Sequence, residues 1–480
     1  MEKQTTVFSE KYLLVPINPK APWQTLTISA KNRQPYQLQV RLDASNPVWH
    51  MHIDVSAYIG IESEISPVFP LKTANRMEIP NLYAEPLRPQ VHFSSRQGWL
   101  NDPNGLVKVG DTYHLFYQHN PADAVWQNMH WGHAVSADLL HWEEQDIALF
   151  PDEHGTMFSG SAIEDMDNVS GLGDKTAPPV LLFYTTAGST PDRYTQCLAF
   201  SKDRGKTFQK YAKNPIIPNL AGNNRDPKVI WCEEINAFVM ALYLDGGTRD
   251  FALFGSDNLL DWNQFQTITL PNDAECPDFY PLTDEEGNRR WILSGASDTY
   301  FVGQFANGLF VPEGNAKALS FGNNRAYASQ TFSGIDNRRI RISWNRTDIP
   351  GTPFNCQMTF PVEMKLRRKE EGFVLTASPI AELQNLYTDG EPTAFHVTLR
   401  AFLHENAAIF VCGEKFALPF AGETELSMII DKMGCEIYVN GGERFGAFGF
   451  VADYEKPLFA FENADVLKEE VHPLRSIWPI

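Results

Sequence analysis

The chain has 480 residues, of which 43% are hydrophobic and 21% are charged, ordinary values for a folded globular protein. Lysine and arginine number 40 against 59 aspartate and glutamate residues, which gives a formal net charge of −19. This acidity argues against nucleic acid and anionic membrane surfaces as partners. No segment approaches the ~18 consecutive apolar residues that a membrane span needs. We therefore expect neither nucleic acid nor a membrane as a partner.

The cysteines and the start of the chain predict a reducing compartment. Six cysteines are scattered without a C-x-x-C pair or zinc-finger spacing, and residues 1–6 lead into no apolar core of signal-peptide type. We therefore expect free thiols and a cytoplasmic location, or export if a signal had been removed. His130 and His133 would point to opposite faces of a strand. No metal ion is expected there.

Alternating apolar and polar segments dominate and predict an all-β protein with strands every ~8–12 residues. In the first part of the chain, Trp49–Val55 is such a segment. A proline-rich stretch, Tyr83–Pro89, follows and is typical of a connector. Residues 1–85 are therefore predicted to form a small N-terminal β domain.

A weak internal repeat marks the central region. Ser136–Trp142 resembles Ser256–Trp262, and Ser201–Phe208 is a looser copy between them. Repeats of this spacing suit four-stranded propeller blades, although chance similarity of turn-plus-aromatic segments is the alternative. About five units of ~56 residues fit between the connector and residue 366. Residues 86–365 are therefore predicted to form a five-bladed β-propeller.

The last part of the chain returns to strand patterns after a short helix-forming stretch, Ala381–Gln384. Phe395–Leu403, Ala408–Cys412 and Cys435–Asn440 are candidate strands, and the last one ends in a glycine pair typical of a hairpin turn. Residues 366–480 are predicted to form a C-terminal β-sandwich.

Three acidic residues are candidate catalytic groups. Asp102 lies in W-L-N-D-P-N-G, Asp226 in N-R-D-P and Glu275 in A-E-C-P. Asp-Pro is also a common turn element, so one instance alone is weak evidence for a catalytic role. The spacing between Asp102 and Asp226 corresponds to about two blades, and the spacing between Asp226 and Glu275 to about one blade. All three residues could therefore begin innermost strands of different blades and converge at one mouth of the central channel.

Converging carboxyl groups suit glycoside hydrolysis, which needs an ionised nucleophile and a protonated acid. Mutual repulsion and partial burial would raise the pKa of one carboxyl group. Arg225 would lower the pKa of its chain neighbour, Asp226. Different pKa values would let one carboxyl group act as the protonated acid and another as the ionised nucleophile.

The sequence resembles glycoside hydrolase family 32, the β-fructofuranosidases, which include invertases, inulinases and levanases. The family carries W-[M/L]-N-D-P-N-G, R-D-P and E-C boxes in this order, and all three are present here, with F-S-G-S-A at Phe158–Ala162 and W-G-H-A-V-S at Trp131–Ser136. The resemblance covers about His92 to Glu363. More weakly, the first ~85 residues resemble the small β domain of some bacterial levanases. The tail is similar to the family's C-terminal sandwich.

The resemblance implies a role for each acidic residue. Asp102 matches the nucleophile, Glu275 the general acid/base and Asp226 the transition-state stabiliser that binds fructose hydroxyls. The residues that match those holding the fructosyl ring are Asn101, Gln118, Trp126, Phe158, Ser159, Arg225 and Trp344. For Gln118, Trp126 and Ser159 a plain packing role is the alternative, and for Trp344 it is nearly as well supported. Ser343 stands where the family usually has glycine.

The implied activity is the release of fructose from terminal β-D-fructofuranosides by a retaining double displacement, without metal or organic cofactor. The expected partner is a fructose-containing oligo- or polysaccharide of the sucrose, inulin or levan type. A fructosyltransferase on the same scaffold and a propeller that binds fructans without cleaving them are the alternatives. The preferred substrate, endo or exo attack and the oligomeric state stay open.

Overall fold

The structure is a computed structural model that describes residues 2–173, 177–188 and 193–479. Within these residues the chain forms 36 strands and two short 3-10 helices, Ser56–Tyr58 and Ala381–Leu386. The all-β prediction is confirmed. No helix in the described ranges is long and apolar enough to cross a membrane.

The N-terminal domain consists of seven strands in two facing sheets. Their order is β1-β6-β3-β4 in one sheet and β5-β2-β7 in the other. The inward side chains of both sheets form one buried cluster, and Ala122 from the central region packs into it. The strands are β1 Gln4–Val7, β2 Tyr12–Ile17, β3 Gln24–Ala30, β4 Tyr36–Val40, β5 Trp49–Asp54, β6 Glu62–Ser66 and β7 Thr73–Ala74.

Five antiparallel sheets follow in chain order. The first sheet contains β8 Gly98–Val109, β9 Thr112–Asn120, β10 His130–Ser136 and β11 Glu143–Glu144, and the second contains β12 Thr156–Glu164, β13 Val180–Ala187, β14 Tyr194–Ser201 and β15 Gln209–Lys210. The third contains β16 Arg225–Cys232, β17 Ala237–Leu244, β18 Asp250–Ser256 and β19 Asn263–Thr269. The fourth contains β20 Asp278–Thr283, β21 Arg289–Ser294, β22 Thr299–Ala306, β23 Leu309–Pro312 and β24 Lys317–Ala318. The fifth contains β25 Ala326–Thr331, β26 Ile340–Asn345, β28 Gln357–Met358, β29 Val362–Lys369 and β30 Gly372–Pro379, while β27 Phe354–Asn355 pairs in parallel with β8.

The five sheets form a closed ring. Their first strands lie side by side in the order β8, β12, β16, β20 and β25, and β25 lies against β8 again. Polar side chains join these inner strands: Lys228 contacts Asp278 at 2.9 Å and donates to the carbonyl of Thr331 at 2.7 Å. Gln330 accepts from the amide of Leu106 at 3.1 Å. This ring supports the predicted five blades.

The internal repeat occupies the same place in three blades. Ser136, Ser201 and Ser256 each end the third strand of a blade, and each side chain contacts the Asp or Asn two positions later. The indoles of Trp142 and Trp262 both donate to the carbonyl three residues earlier, at 3.1 and 3.2 Å. The repeated sequence is therefore a repeated turn.

The C-terminal region forms a six-stranded sheet around its own buried cluster. Two predicted strands, Phe395–Leu403 and Ala408–Cys412, are one continuous strand that ends at Val411 and has register shifts after Arg400 and after Leu403. Bulges of this kind bend a strand, so that a single sheet curves around its core. The strands are β31 Ala394–Val411, β32 Glu414–Ala417, β33 Gly422–Asp431, β34 Gly434–Val439, β35 Arg444–Gly449 and β36 Phe459–Leu474.

The strand bounds bear on the predicted domain limits. The limit between residues 85 and 86 falls between β7 and β8. The limit after residue 365 falls inside β29, and β29 pairs with β30 in the fifth propeller sheet. We therefore propose that the C-terminal domain begins after Pro379.

Candidate active site

All ten residues that the sequence predicts for the site line one cavity of about 220 Å³ at the channel mouth. The cavity also includes Tyr327, which sequence reasoning did not single out. The ten predicted residues are Asn101, Asp102, Gln118, Trp126, Phe158, Ser159, Arg225, Asp226, Glu275 and Trp344. The fold therefore brings side chains from seven separate stretches of the chain to one place.

Irregular backbone at the start of the inner strands positions these side chains. Register shifts lie between Leu100 and Pro103, Met157 and Gly160, Arg225 and Lys228, and Tyr327 and Gln330. Asp226 and Glu275 have φ angles of 68° and 58°, in the left-handed region that non-glycine residues rarely adopt. Bulges and left-handed residues re-aim side chains that a regular strand would direct into the sheet.

Asp102 lies in the bulge of β8, in contact with a hydroxyl and a thiol. The Ser159 hydroxyl donates to its Oδ2 at 2.6 Å, and the Cys276 Sγ lies 3.6 Å from the same oxygen. Burial raises the pKa of Asp102, while the Ser159 hydrogen bond acts in the opposite direction. Ser159 therefore holds an acceptor oxygen of the predicted nucleophile in place.

Asp226 is 6% exposed. Its Oδ2 accepts a hydrogen bond from the amide of Cys276 at 3.0 Å, and its own amide donates to Thr185 Oγ1 at 2.9 Å. Burial raises the pKa of Asp226 to about 7, although Arg225 acts to lower it. Arg225 acts in the expected direction, but burial and the two neighbouring carboxyl groups outweigh it, so the pKa of Asp226 is raised and not lowered.

Arg225 makes its short contact with Glu275 instead. Its Nη2 donates to Glu275 Oε1 at 2.6 Å, whereas its Nε lies 3.8 Å from Asp226 Oδ2. Asp245 accepts from Arg225 Nη1 at 3.2 Å. The Tyr327 hydroxyl donates to Glu275 Oε2 at 2.6 Å. Both oxygens of the predicted acid/base thus accept a hydrogen bond.

Aromatic and amide side chains form the walls. Trp126 is 51% exposed at the rim, and its ring contacts Phe158 edge-on with centroids 6.2 Å apart. Trp344 contacts the rings of Trp99 and Tyr327 edge-on, at 5.9 and 6.3 Å. Such walls give a polyhydroxylated ligand both apolar faces and hydrogen-bonding edges.

The two amide side chains are also held. Trp99 Nε1 donates to Asn101 Oδ1 at 2.9 Å. Gln118 is buried, and its Nε2 lies 2.9 Å from the side-chain amide oxygen of Asn104 in the amide orientation that satisfies both residues. These contacts fix the orientation of groups that the sequence predicts to bind the sugar ring.

Sequence reasoning missed Tyr327, and it treated Cys276 as a packed thiol that could modestly raise the pKa of the neighbouring acid by limiting water access. Cys276 Sγ lies 3.4 Å from Asp226 Oδ2 as well as close to Asp102, so it separates the two aspartates. Its position directly after Glu275 could have indicated from the sequence that Cys276 lies among the carboxyl groups of the site. Tyr327 had none in the sequence, because its contact depends on a bulge in β25.

Comparison with known proteins places this geometry in a family. Residues 92–379, more than half of the chain, match the model described as glycosyl hydrolases family 32 N-terminal domain. A levanase of Bacillus subtilis is 35% identical over 333 residues, 63% of this chain and 48% of the levanase. An invertase of Debaryomyces hansenii is 37% identical over 279 residues, 54% of this chain and 52% of the invertase. The chain thus spans about half the length of these relatives.

A solved structure agrees with the fold. The crystal structure of exo-inulinase from Aspergillus awamori aligns with a TM-score of 0.73 and 26% identity, covering 82% of this chain and 100% of that one. The predicted family and the predicted propeller with a β-sandwich are confirmed. The chain belongs to glycoside hydrolase family 32.

Proposed function

We propose that this protein is a β-fructofuranosidase that releases fructose from the terminal β-D-fructofuranosyl units of sucrose-, inulin- or levan-type substrates. Family membership and the names of its relatives support a fructoside as the substrate. The observation that carries the proposal furthest is the convergence of three carboxyl groups and seven predicted sugar-binding side chains on one cavity.

The first step forms a bond between enzyme and sugar. Asp102 attacks the anomeric carbon of the terminal fructosyl unit, while Glu275 gives its proton to the departing glycosidic oxygen. The carbon–oxygen bond breaks and the leaving sugar departs as an alcohol. Ser159 orients the attacking carboxylate, and Asp226 accepts hydrogen bonds from fructose hydroxyls.

The second step uses water. Glu275, now a carboxylate, accepts a proton as the water oxygen attacks the anomeric carbon, and the ester bond to Asp102 breaks. Fructose leaves with its configuration retained. Arg225 and Tyr327 each donate a hydrogen bond to one oxygen of Glu275 and so orient its carboxyl group. Water and two carboxyl groups complete this cycle, so the proposal includes no cofactor.

A product time course on sucrose, inulin and levan tests the function. The protein should release fructose, with the β-anomer formed first by NMR. Asp102→Asn should fold normally, judged by its melting temperature, and lose at least about 10³-fold in kcat. Wild-type-like turnover by Asp102→Asn would remove the assignment of the nucleophile.

The same experiment separates the alternatives. Longer oligosaccharides accumulating at high sucrose would indicate fructosyl transfer. Fructan binding without any fructose release would indicate a binding protein. An α-anomer formed first would rule out the double displacement.

A further inference from the structure

The N-terminal domain carries an exposed indole, that of Trp23. Within the described ranges, three tryptophans are exposed: Trp23, Trp126 and Trp231, with 47%, 51% and 42% of their surface accessible. Trp126 lines the cavity, and Trp23 lies between β2 and β3 of the N-terminal domain. A single exposed aromatic residue is ordinary on a protein surface, but Trp23 is also held by a charged side chain, that of Arg41.

One salt bridge links Trp23 to the loop that carries Trp126. The Arg41 guanidinium lies 5.2 Å from the centre of the Trp23 ring. It donates two hydrogen bonds of 2.7 Å to Asp123, whose side chain is fully buried. A third, of 2.9 Å, goes to the Pro19 carbonyl. Trp126 follows Asp123 by three residues, so the Cα atoms of the two residues lie at most about 11 Å apart. The Arg41–Asp123 salt bridge therefore connects the positions of both indoles.

The size of the cavity leaves most of a fructan chain outside. Its 220 Å³ is below the ~300–1,000 Å³ of sites that enclose drug-sized ligands. A chain whose terminal fructose fills this cavity must run over the rim, where Trp126 stands. An indole supplies an apolar face for the C–H face of a sugar and an N–H donor for its hydroxyls. Arg41 supports one face of Trp23.

We propose that Trp23 forms a distal sugar-binding subsite for a fructan chain whose terminal unit occupies the catalytic cavity. This inference rests on the proposed function, which it deepens by assigning the N-terminal domain a preference for chains over sucrose. The bound class is an uncharged fructan of several units, which the net charge of −19 does not repel.

Kinetics with substrates of different length test the proposal. Trp23→Ala should lower kcat/KM on inulin or levan by about fivefold to tenfold, the loss expected for one well-placed aromatic contact. It should leave kcat/KM on sucrose unchanged, because the Arg41–Asp123 bridge remains. Trp23→Tyr should keep most of the polymer activity. Trp231→Ala is the matched control, since Trp231 lies six residues, or about 20 Å, along β16 from Arg225.

A binding readout keeps the test independent of turnover. In native gels containing levan or inulin, Asp102→Asn protein should be retarded, and Trp23→Ala in that background should be retarded less, unlike Trp231→Ala. Equal losses on sucrose and polymer would show that Trp23 only supports the Trp126 loop, which overturns the proposal, as would unchanged polymer kinetics and retardation. A wild type that cleaves no fructoside would defeat the proposed function instead, and the gel comparison would still decide the subsite.

Discussion

The three carboxyl groups of the site share one small cavity, yet each is held by different donors. Asp102 accepts from a serine hydroxyl, Asp226 from a backbone amide, and Glu275 from an arginine and a tyrosine. Arg225 is the cation that contacts both Asp226 and Glu275. Because three carboxyl groups and one arginine share a buried space, a change in one of them alters the electrostatic surroundings of the others.

Asp226 should lower the free energy of unfolding of the protein at neutral and alkaline pH. Burial raises its pKa to about 7, with Glu275 and Asp102 adding to the rise and Arg225 opposing it. An unfolded aspartate has a pKa of about 3.9, so the folded state binds the extra proton between about pH 4 and pH 7. Stability therefore falls as the pH rises through this window, by up to about 4 kcal/mol.

Asp226→Asn should remove this loss. We expect its melting temperature to exceed that of the wild type at pH 8 and to differ little at pH 4, while fructose release falls. Thermal unfolding at several pH values measures both ends of the window. Asp431→Asn is the contrasting control, because the pKa of Asp431 is lowered, chiefly by its hydrogen bond to His92 against the effect of burial; it should be destabilised at pH 8. A lower melting temperature for Asp226→Asn at pH 8 would contradict the argument.

At the scale of elements, the loop between β9 and β10 is fastened to the N-terminal domain. Asn128 donates to the Gln39 carbonyl and accepts from the Gln39 amide, both at 2.8 Å. Ala122 packs into the core of that domain, and Arg41 binds Asp123. Trp126 lies between these anchors, so the N-terminal domain positions a wall of the cavity.

Breaking this anchor should therefore affect catalysis through Trp126. Arg41→Ala leaves Asp123 buried without its partner, which costs about 3–5 kcal/mol and should lower kcat/KM on sucrose as well as on fructans. In a Trp126→Ala background the same change should reduce kcat/KM little further. Lys11→Ala, which removes an ion pair between the same domain and the propeller at Asp146, should leave kcat/KM unchanged. Fully additive effects of Arg41→Ala and Trp126→Ala would mean that the anchor does not act through the indole.

The sequence predicts regular elements well and irregular ones poorly. The repeated Ser136, Ser201 and Ser256 turns are visible in the sequence because they need a serine, an acidic or amide acceptor and often an aromatic residue. The bulges that aim Asp102 and Asp226 are not visible, since a register shift depends on how two strands pair. The Arg41–Asp123 contact joins residues 82 positions apart, and no local pattern marks it.

At the scale of the whole molecule, the chain's three parts share cores across their boundaries. Tyr83 in the connector stacks on Trp478 near the C-terminus, with ring centroids 4.0 Å apart. Phe321 of the propeller belongs to the core of the C-terminal sheet. The parts should therefore unfold together rather than one by one, since each boundary exposes apolar surface when it opens.

A buried histidine lies where the connector, the propeller and the C-terminal sheet meet. His92 Nδ1 is 2.8 Å from Asp431 Oδ2, and its Nε2 is 3.3 Å from Glu436 Oε1. Both carboxylates come from the C-terminal sheet and also bind backbone amides, of Gln90 and Phe360 respectively. Burial acts to lower the pKa of His92, but the two carboxylates outweigh it and raise the pKa to about 10.

His92 should therefore stabilise the folded chain in a pH-dependent way. An unfolded histidine has a pKa of about 6.5, so the contribution is complete below about pH 6.5 and is lost as the pH rises towards 10. His92→Ala leaves two buried carboxylates without their cation, which costs about 3–5 kcal/mol, and His92→Asn should restore part of the loss through one hydrogen bond. Thermal unfolding between pH 6 and pH 9.5 should show the gap between wild type and His92→Asn narrowing as the pH rises. His141→Ala is the control, since the exposed His141–Asp138 pair joins no domains and should leave the melting temperature unchanged. A gap of constant size across this range would show that His92 acts only by packing, with no charge at the interface.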